Sequence, residues 1–95
     1  MFSKELEALR EKIAELTLEI IRLSNERLLL AKRIGEIKAR NGLPLEDPLT
    51  ENELRNRVIE FSKKCGISIN FSLKLLKLLI EESKRVQQEV IESNL

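Results

Sequence analysis

The amino-acid sequence predicts an all-α protein made of three helices, the first long, the second short and the third of medium length. Along three stretches of the chain, apolar residues recur at steps of three and four, which is the spacing that keeps side chains on one face of a helix. Residues that begin or end helices separate these stretches, and no alternation of apolar and polar residues indicates a strand. Together these observations predict a helical bundle.

The first predicted helix covers residues 3–40, because Ser3 can cap its first turn and Asn41-Gly42, followed by Pro44, ends it. Its apolar stripe consists of Phe2, Leu6, Leu9, Ile13, Leu16, Ile20, Leu23, Arg27, Leu30, Ile34 and Ile37. At 1.5 Å per residue, this helix is roughly 55 Å long. The two shorter helices cannot cover a rod of that length, so we expect its exposed half to pack against a second copy of the chain.

The other two helices are predicted over about residues 48–64 and 69–93, with the third starting near Ser68 or Asn70. Asp47 is a favourable cap and Pro48 a favourable first helical residue, and Gly66 ends the helix that they begin. The stripe of the second helix consists of Glu51, Leu54, Val58, Phe61 and Cys65. The stripe of the third helix consists of Ile69, Leu73, Leu76, Ile80, Ser83, Gln87 and Val90.

Length and composition exclude several classes of protein. A chain of 95 residues forms one domain, residues 1–95, with a modest core, so we expect a partner chain to add to that core. Charged residues make up 35% of the chain but nearly cancel, at net charge +1, which provides no field for holding nucleic acid or an acidic membrane. With one cysteine and no histidine, one chain cannot form a disulfide framework, a zinc cluster or a histidine-based triad.

The sequence contains no signal for a membrane or a nucleic acid. No run of about 18 apolar residues can span a bilayer, and no signal peptide precedes the first helix. Phe2, Phe61 and Phe71 lie on predicted apolar faces rather than in a platform for stacking bases, and Cys65 is expected to pack as a small hydrophobe. We therefore expect a cytoplasmic protein that binds neither nucleic acid nor a membrane.

Polar residues interrupt the apolar stripes of all three predicted helices, at Arg27, Glu51, Ser83 and Gln87. A buried charge costs several kcal/mol unless it is paired, so these interruptions need an explanation. A polar, anion-binding pocket inside a helical bundle explains all of them. Lys38 follows Arg27 by eleven residues, which places it on the same helix face about 16 Å away, where its long side chain can reach the same anion.

Each of these residues also has a structural explanation. Arg27 can pair with Glu26, Glu51 or a carboxylate of a partner chain, and Lys38 can extend into solvent from the edge of the stripe. Ser83 and Gln87 lie one turn apart, and polar residues at such positions can fix the register of a helical assembly. Glu51 lies in the first turn of a helix, where the helix dipole favours a carboxylate.

Four groups of residues together match the pattern of a known family. They are Ala8-Leu9-Arg10-Glu11-Lys12-Ile13, Glu26-Arg27 with Gly35 and Lys38, Pro44 with Asp47 and Glu51, and Ile80-Glu81-Glu82-Ser83 with Gln87-Gln88. Over essentially its whole length, the chain resembles the all-helical chorismate mutases. Thr50 departs from the pattern, because many members carry there an arginine that helps to bind the ring carboxylate of the substrate. Lys84 and Arg85 are the nearby cations that could replace that arginine.

The resemblance implies an intertwined homodimer of three-helix protomers with two equivalent active sites. It implies that each site converts chorismate, a dianion, into prephenate in phenylalanine and tyrosine biosynthesis. This pericyclic rearrangement is unimolecular, so the resemblance implies no metal and no cofactor. It further implies that Lys38 and Gln87 donate to the ether oxygen of the substrate, and that Arg27 and Arg10 of the partner chain bind the side-chain carboxylate.

The resemblance also implies which residues bind the remaining groups of the substrate. Glu51 and the backbone at Asp47 would bind the ring hydroxyl, and Ser83 would bind the ring carboxylate. The apolar walls of the pocket would be Ile34, Leu54 and Ile80. Two other functions remain open at this point: an isochorismate-pyruvate lyase, which shares the fold, and a coiled-coil interaction module without catalytic activity, which the long stripe of the first helix would suit.

Overall fold

The computed structural model of the chain describes residues 3–94 and consists of three α-helices: α1, Lys4–Asn41; α2, Pro48–Cys65; and α3, Ile69–Ser93. The described residues contain no strand, which confirms the all-α fold class. The bounds of each helix lie within one residue of the expected ones. Phe2, the first position of the expected stripe, lies outside the described residues.

Side-chain caps explain where the helices begin. Ser3, Asp47 and Ser68 each accept a hydrogen bond from the backbone N–H three residues later, at 3.1, 3.2 and 3.2 Å respectively. Each cap satisfies a backbone donor that has no partner inside the helix. Gly42 and Gly66 follow α1 and α2 with φ of 63° and 66°, a left-handed conformation that glycine adopts without strain.

Helix α3 is the central element of the protomer, because it packs against both α1 and α2 while those two helices do not contact each other. The protomer is consequently flat and elongated, with extents of 60 × 29 × 14 Å. Its buried apolar core is small and includes Ala31 of α1 and Leu76 of α3. This core leaves most of the apolar surface of the helices uncovered by the chain itself.

Gly35 allows α1 and α3 to approach closely. A Cβ atom at this position would lie 3.0 Å from Cα of Gln87 and 3.3 Å from Cβ of Val90, closer than side chains normally pack. The hydrogen atom of glycine is therefore what fits between the two backbones. The close approach occurs beside Gln87, one of the polar residues that interrupt the stripe of α3.

Helix α2 faces α3 through a different edge than the stripe predicts. Ser62 is 1% exposed, and its hydroxyl donates to the carbonyl of Val58 and pairs with the hydroxyl of Ser72, both at 2.7 Å. Phe61 is 61% exposed and Cys65 is exposed. The expectation that Cys65 packs as a small hydrophobe is therefore wrong for the protomer, because paired hydroxyls let Ser62 take the position against α3.

The long apolar stripe of α1 is largely exposed along the helix, and in its second half Leu30 is 56% and Ile37 is 45% exposed. Leu9, Ile13, Leu16 and Ile20 are each more than half exposed. Phe71 of α3, another residue expected on an apolar face, is 59% exposed. Among the described residues, no helix is both long enough and apolar enough to cross a membrane.

Candidate active site

A polar cleft of about 430 Å³ opens between the second half of α1, the first turns of α2 and the second half of α3. Its lining residues are Arg27, Leu30, Ala31, Ile34, Lys38, Leu45, Asp47, Thr50, Glu51, Leu54, Ile80, Ser83, Lys84 and Gln87. Every site residue expected from the sequence lines this cleft except Arg10. This space is the polar cleft.

Lys38 and Gln87 form a pair across the two helices that approach each other at Gly35. The ammonium Nζ of Lys38 donates to Oε1 of Gln87 at 2.7 Å and to the carbonyl of Leu45 at 2.8 Å. An ammonium group has three N–H bonds, so one donor of Lys38 remains for a ligand. Because Oε1 of Gln87 accepts from Lys38, the Nε2 group of the same amide is left to donate. The pair can therefore present two hydrogen-bond donors to one oxygen atom.

Arg27 and Ser83 form a second pair in the polar cleft. Nη1 of Arg27 donates to Oγ of Ser83 at 3.2 Å and to the carbonyl of Leu79 at 3.3 Å. These contacts are long and involve one of the three guanidinium nitrogens, so the planar group keeps further N–H donors. A guanidinium group with free donors can bind a carboxylate through two parallel hydrogen bonds.

In the part of the chain that the structure describes, neither Arg27 nor Lys38 forms a salt bridge. Within residues 3–94, no carboxylate oxygen lies within 4.0 Å of either side chain. The structural explanation that Arg27 pairs with a neighbouring acid of its own chain is therefore wrong. Both side chains are half-buried, which reduces the screening of their charges by water. Two such cations in one cleft favour an anionic ligand.

Asp47 and Thr50 hold the start of α2 at the edge of the polar cleft. The carboxylate of Asp47 accepts from the backbone N–H of Thr50 at 3.2 Å. Hydrogen bonds from the side chain and backbone of Thr50 lower the pKa of Asp47, and the charge of Lys38 adds to this effect. Oδ1 of Asp47 thus caps α2, and the backbone carbonyl of Asp47 accepts from the N–H of Glu51 at 3.0 Å, so its backbone N–H is the main-chain group that can serve a ligand. Thr50 supports the cap and brings no positive charge to the cleft.

Glu51 is held by Lys84 rather than by Arg27. Nζ of Lys84 lies 2.6 Å from Oε1 of Glu51 and 2.7 Å from Oε2 of Glu46. Hydrogen bonds with Glu46 and Glu51 raise the pKa of Lys84. Of the two cations considered as replacements for the missing arginine, Lys84 lines the polar cleft, whereas Arg85 pairs with other carboxylates and does not line it.

Apolar side chains form the remaining walls. Leu54 and Ile80 are half-buried, and Ile34 is 46% exposed. The structure adds Leu30, Ala31 and Leu45, which were not among the expected site residues. The stripe of α1 contains Leu30 one turn after Arg27, so that position was recognisable. Leu45 lies in the loop before α2, where no helical periodicity could identify it.

Arg10 is the expected site residue that this chain does not bring to the polar cleft. It is exposed on the first third of α1. Seventeen residues of continuous helix separate it from Arg27, which corresponds to about 25 Å along the axis. A side chain cannot bridge that distance, so an Arg10 acting in this cleft has to come from another copy of the chain.

Comparisons with known proteins assign the chain to a family. The family model for chorismate mutase type II matches residues 9–88. A chorismate mutase of Methanocaldococcus jannaschii is 34% identical over 89 residues, which cover 94% of this chain and 90% of that relative.

Two bifunctional relatives are also similar to this chain. A bifunctional chorismate mutase/prephenate dehydratase of Aquifex aeolicus is 44% identical over 61 residues, covering 64% of this chain and 17% of the relative. The protein of the same name from Escherichia coli is 33% identical over 88 residues, covering 93% and 23%. This chain thus spans less than a quarter of the length of these two relatives. By the family match and the similarity to the archaeal protein, the chain belongs to the type II chorismate mutases.

Proposed function

We propose that this chain converts chorismate to prephenate in the polar cleft. The observation that carries the proposal is the Lys38–Gln87 pair at 2.7 Å, beside an arginine that has no carboxylate partner among the described residues. In this rearrangement, the ether C–O bond of chorismate breaks while a new C–C bond forms within the same molecule. Negative charge develops on the ether oxygen, and preorganised donors aimed at that atom lower the barrier.

Six polar residues of the cleft have roles in this proposal. Lys38 and Nε2 of Gln87 donate to the ether oxygen, and Arg27 binds the side-chain carboxylate. Glu51 and the backbone at Asp47 bind the ring hydroxyl, and Ser83 binds the ring carboxylate. Holding both ends of the substrate selects the compact conformer in which the reacting carbon atoms meet, and this contributes to the rate without a nucleophile.

The proposal includes a homodimer with shared active sites. The first half of α1 exposes a continuous apolar stripe that a second copy of the chain could cover. In such a dimer, Arg10 of the partner would reach the polar cleft and add a second guanidinium group to Arg27. The bifunctional relatives, which join chorismate mutase to prephenate dehydratase, support a place in phenylalanine and tyrosine biosynthesis.

A direct assay tests this function. Purified protein is added to chorismate, and the loss of its ultraviolet absorbance is followed together with the appearance of prephenate. The chain contains neither Trp nor Tyr, so its own absorbance in the near ultraviolet is low. A parallel reaction with isochorismate measures pyruvate release. Prephenate formation without pyruvate release is the expected result, and pyruvate release from isochorismate alone would identify a lyase instead.

A further inference from the structure

Lys84 lies where the polar cleft meets a second groove, and it contacts two carboxylates there. It is 29% exposed and bridges Glu46, in the loop before α2, to Glu51, in the first turn of α2. The second groove, of about 610 Å³ between α2 and α3, also includes Glu51 and Lys84 in its lining. A single ammonium group thus holds two acidic residues beside the place where substrate would bind.

We propose that Lys84 is a positioning residue that makes the polar cleft able to accept a dicarboxylate. It does so by holding Glu51 in place and by cancelling the negative charge of the Glu46–Glu51 pair. This inference rests on the proposed function, because a dianionic substrate is what the charge of the cleft would serve. Lys84 acts through the two carboxylates and is not assigned a contact with the reacting atoms.

The charges that line the polar cleft support this role of Lys84. Arg27, Lys38 and Lys84 are its cations, and Asp47 and Glu51 are its carboxylates. Without Lys84, the lining would have two positive and two negative side chains. The nearby carboxylate of Glu46 would then make the net charge of the cleft and its edge negative. A cleft with that balance repels a dianion, since charges within a few ångströms in a partly buried site are weakly screened.

Glu46 and Glu51 also depend on Lys84 for a counter-charge. Among residues 3–94, Lys84 is the cation within 4.0 Å of either Glu46 or Glu51. Thr50, one residue before Glu51, contributes a hydroxyl to the cap of α2 and no charge. Position 50 therefore supplies no counter-charge to the lining, which leaves this task to Lys84.

The experiment compares Lys84→Met with Lys77→Met in the full-length protein. Lys77 is a matched control, because it is seven residues earlier on α3, is exposed, and lines the second groove without lining the polar cleft. In Lys84→Met, KM for chorismate should rise about tenfold while kcat changes less than about threefold. Lys77→Met should match the wild type in both constants, and Lys84→Arg, which keeps the charge, should recover most of the affinity.

A double variant separates the charge of Lys84 from its structural contacts. Glu46→Gln removes one of the two carboxylates that Lys84 neutralises, and its side chain is 62% exposed, so the fold should tolerate the change. If charge is what matters, Glu46→Gln combined with Lys84→Met should lower KM relative to Lys84→Met alone. If Lys84 served only as a tether for the loop, the double variant would bind chorismate no better than the single one.

Several outcomes would overturn the inference. Equal KM values for Lys84→Met and Lys77→Met, with an active wild type, would refute the role of Lys84 and leave the proposed function intact. An inactive wild-type protein would refute the proposed function and this inference together. Should Lys84→Met not fold, Glu46→Gln alone decides the question, because it should lower KM about twofold by making the cleft more positive. An unchanged or higher KM in that variant would count against the proposal.

Discussion

The two halves of α1 have the same periodic pattern of apolar residues but different surroundings. In the second half, Ala31 and Gly35 are buried against α3, and Lys38 bonds to Gln87. In the first half, every residue from Lys4 to Arg22 is exposed. The stripe itself stays open in both halves, since Leu16 is 53% and Leu30 is 56% exposed. An apolar stripe therefore predicts a helix in both halves, but it does not tell where residues beside it pack against α3. The following predictions test that difference between the halves.

The largest effect is expected at the exposed half, from Ile13→Glu. If a second copy covers the stripe, the new carboxylate would be buried without a partner, which costs several kcal/mol and should weaken dimerisation about a thousandfold. Leu18→Glu is the matched control, because Leu18 is 70% exposed on the same half but lies off the stripe. Sedimentation over a range of protein concentrations measures the effect. Equal association of both variants would show that the stripe is not the interface.

Lys38→Ala tests the half that packs against α3. The proposal has Lys38 donate to charge that develops in the transition state, so kcat should fall by a factor of about 100 or more. Lys32→Ala, on the exposed surface of the same half and outside the polar cleft, should retain wild-type kcat. Circular dichroism should show equal helix content in both variants. An effect confined to KM would reassign Lys38 to substrate binding in the ground state.

Gly35→Ala tests the close contact between α1 and α3, which occurs only in the second half of α1. Alanine is a better helix former than glycine by about 1 kcal/mol, so a free helix would gain stability. Here the added Cβ would lie 3.0 Å from the backbone of Gln87, and overpacking of this kind costs about 1–3 kcal/mol. We expect a net loss of stability in urea unfolding, together with a lower kcat because the Lys38–Gln87 pair shifts. A more stable protein would mean that α1 and α3 can separate without cost.

The smallest change in activity is expected from an experiment that tests a residue of each half of α1 together. Arg10→Ala and Lys38→Ala should each be nearly inactive, because each damages both sites of a homodimer. After subunit exchange, half of the dimers would be mixed, and one site in each mixed dimer would be intact, so activity should recover to about a quarter of the wild-type value. Activity that does not recover despite demonstrated exchange would exclude a role for Arg10 in the partner's cleft.

The expected helices agree closely with the observed ones because their ends depend on neighbouring residues. Ser3, Asp47 and Ser68 cap helices through backbone groups three residues away, and Gly42 and Gly66 end them through their own φ angles. Such interactions are local, so the sequence alone predicts the caps at Ser3 and Asp47 and the two glycine ends. For α3 it leaves Ser68 and Asn70 as alternative starts, and the structure has Ser68 as the cap. The face of α2 was harder to predict, because Ser62 packs against α3 only by sharing a hydrogen bond with Ser72 of that helix.

The polar residues of the candidate site could be selected from the sequence because they interrupt apolar stripes. Arg27, Ser83 and Gln87 stand at positions where a core residue is expected, and that conflict is visible without a structure. Lys84 and Leu45 line the same cleft but lie off the stripes. Nothing in the periodicity distinguishes them from the other lysines and leucines of the chain, so their part in the site was not predictable in this way.

The sequence by itself determined the three helices, their ends and the polar residues that break their apolar faces. Only the tertiary structure decided that α3 packs between α1 and α2, that Gly35 lets Lys38 meet Gln87, and that Lys84 joins Glu46 to Glu51. The physical reason is distance along the chain. Caps and helical periodicity involve residues within one turn of each other, whereas these contacts join residues far apart in sequence and depend on which helix faces meet.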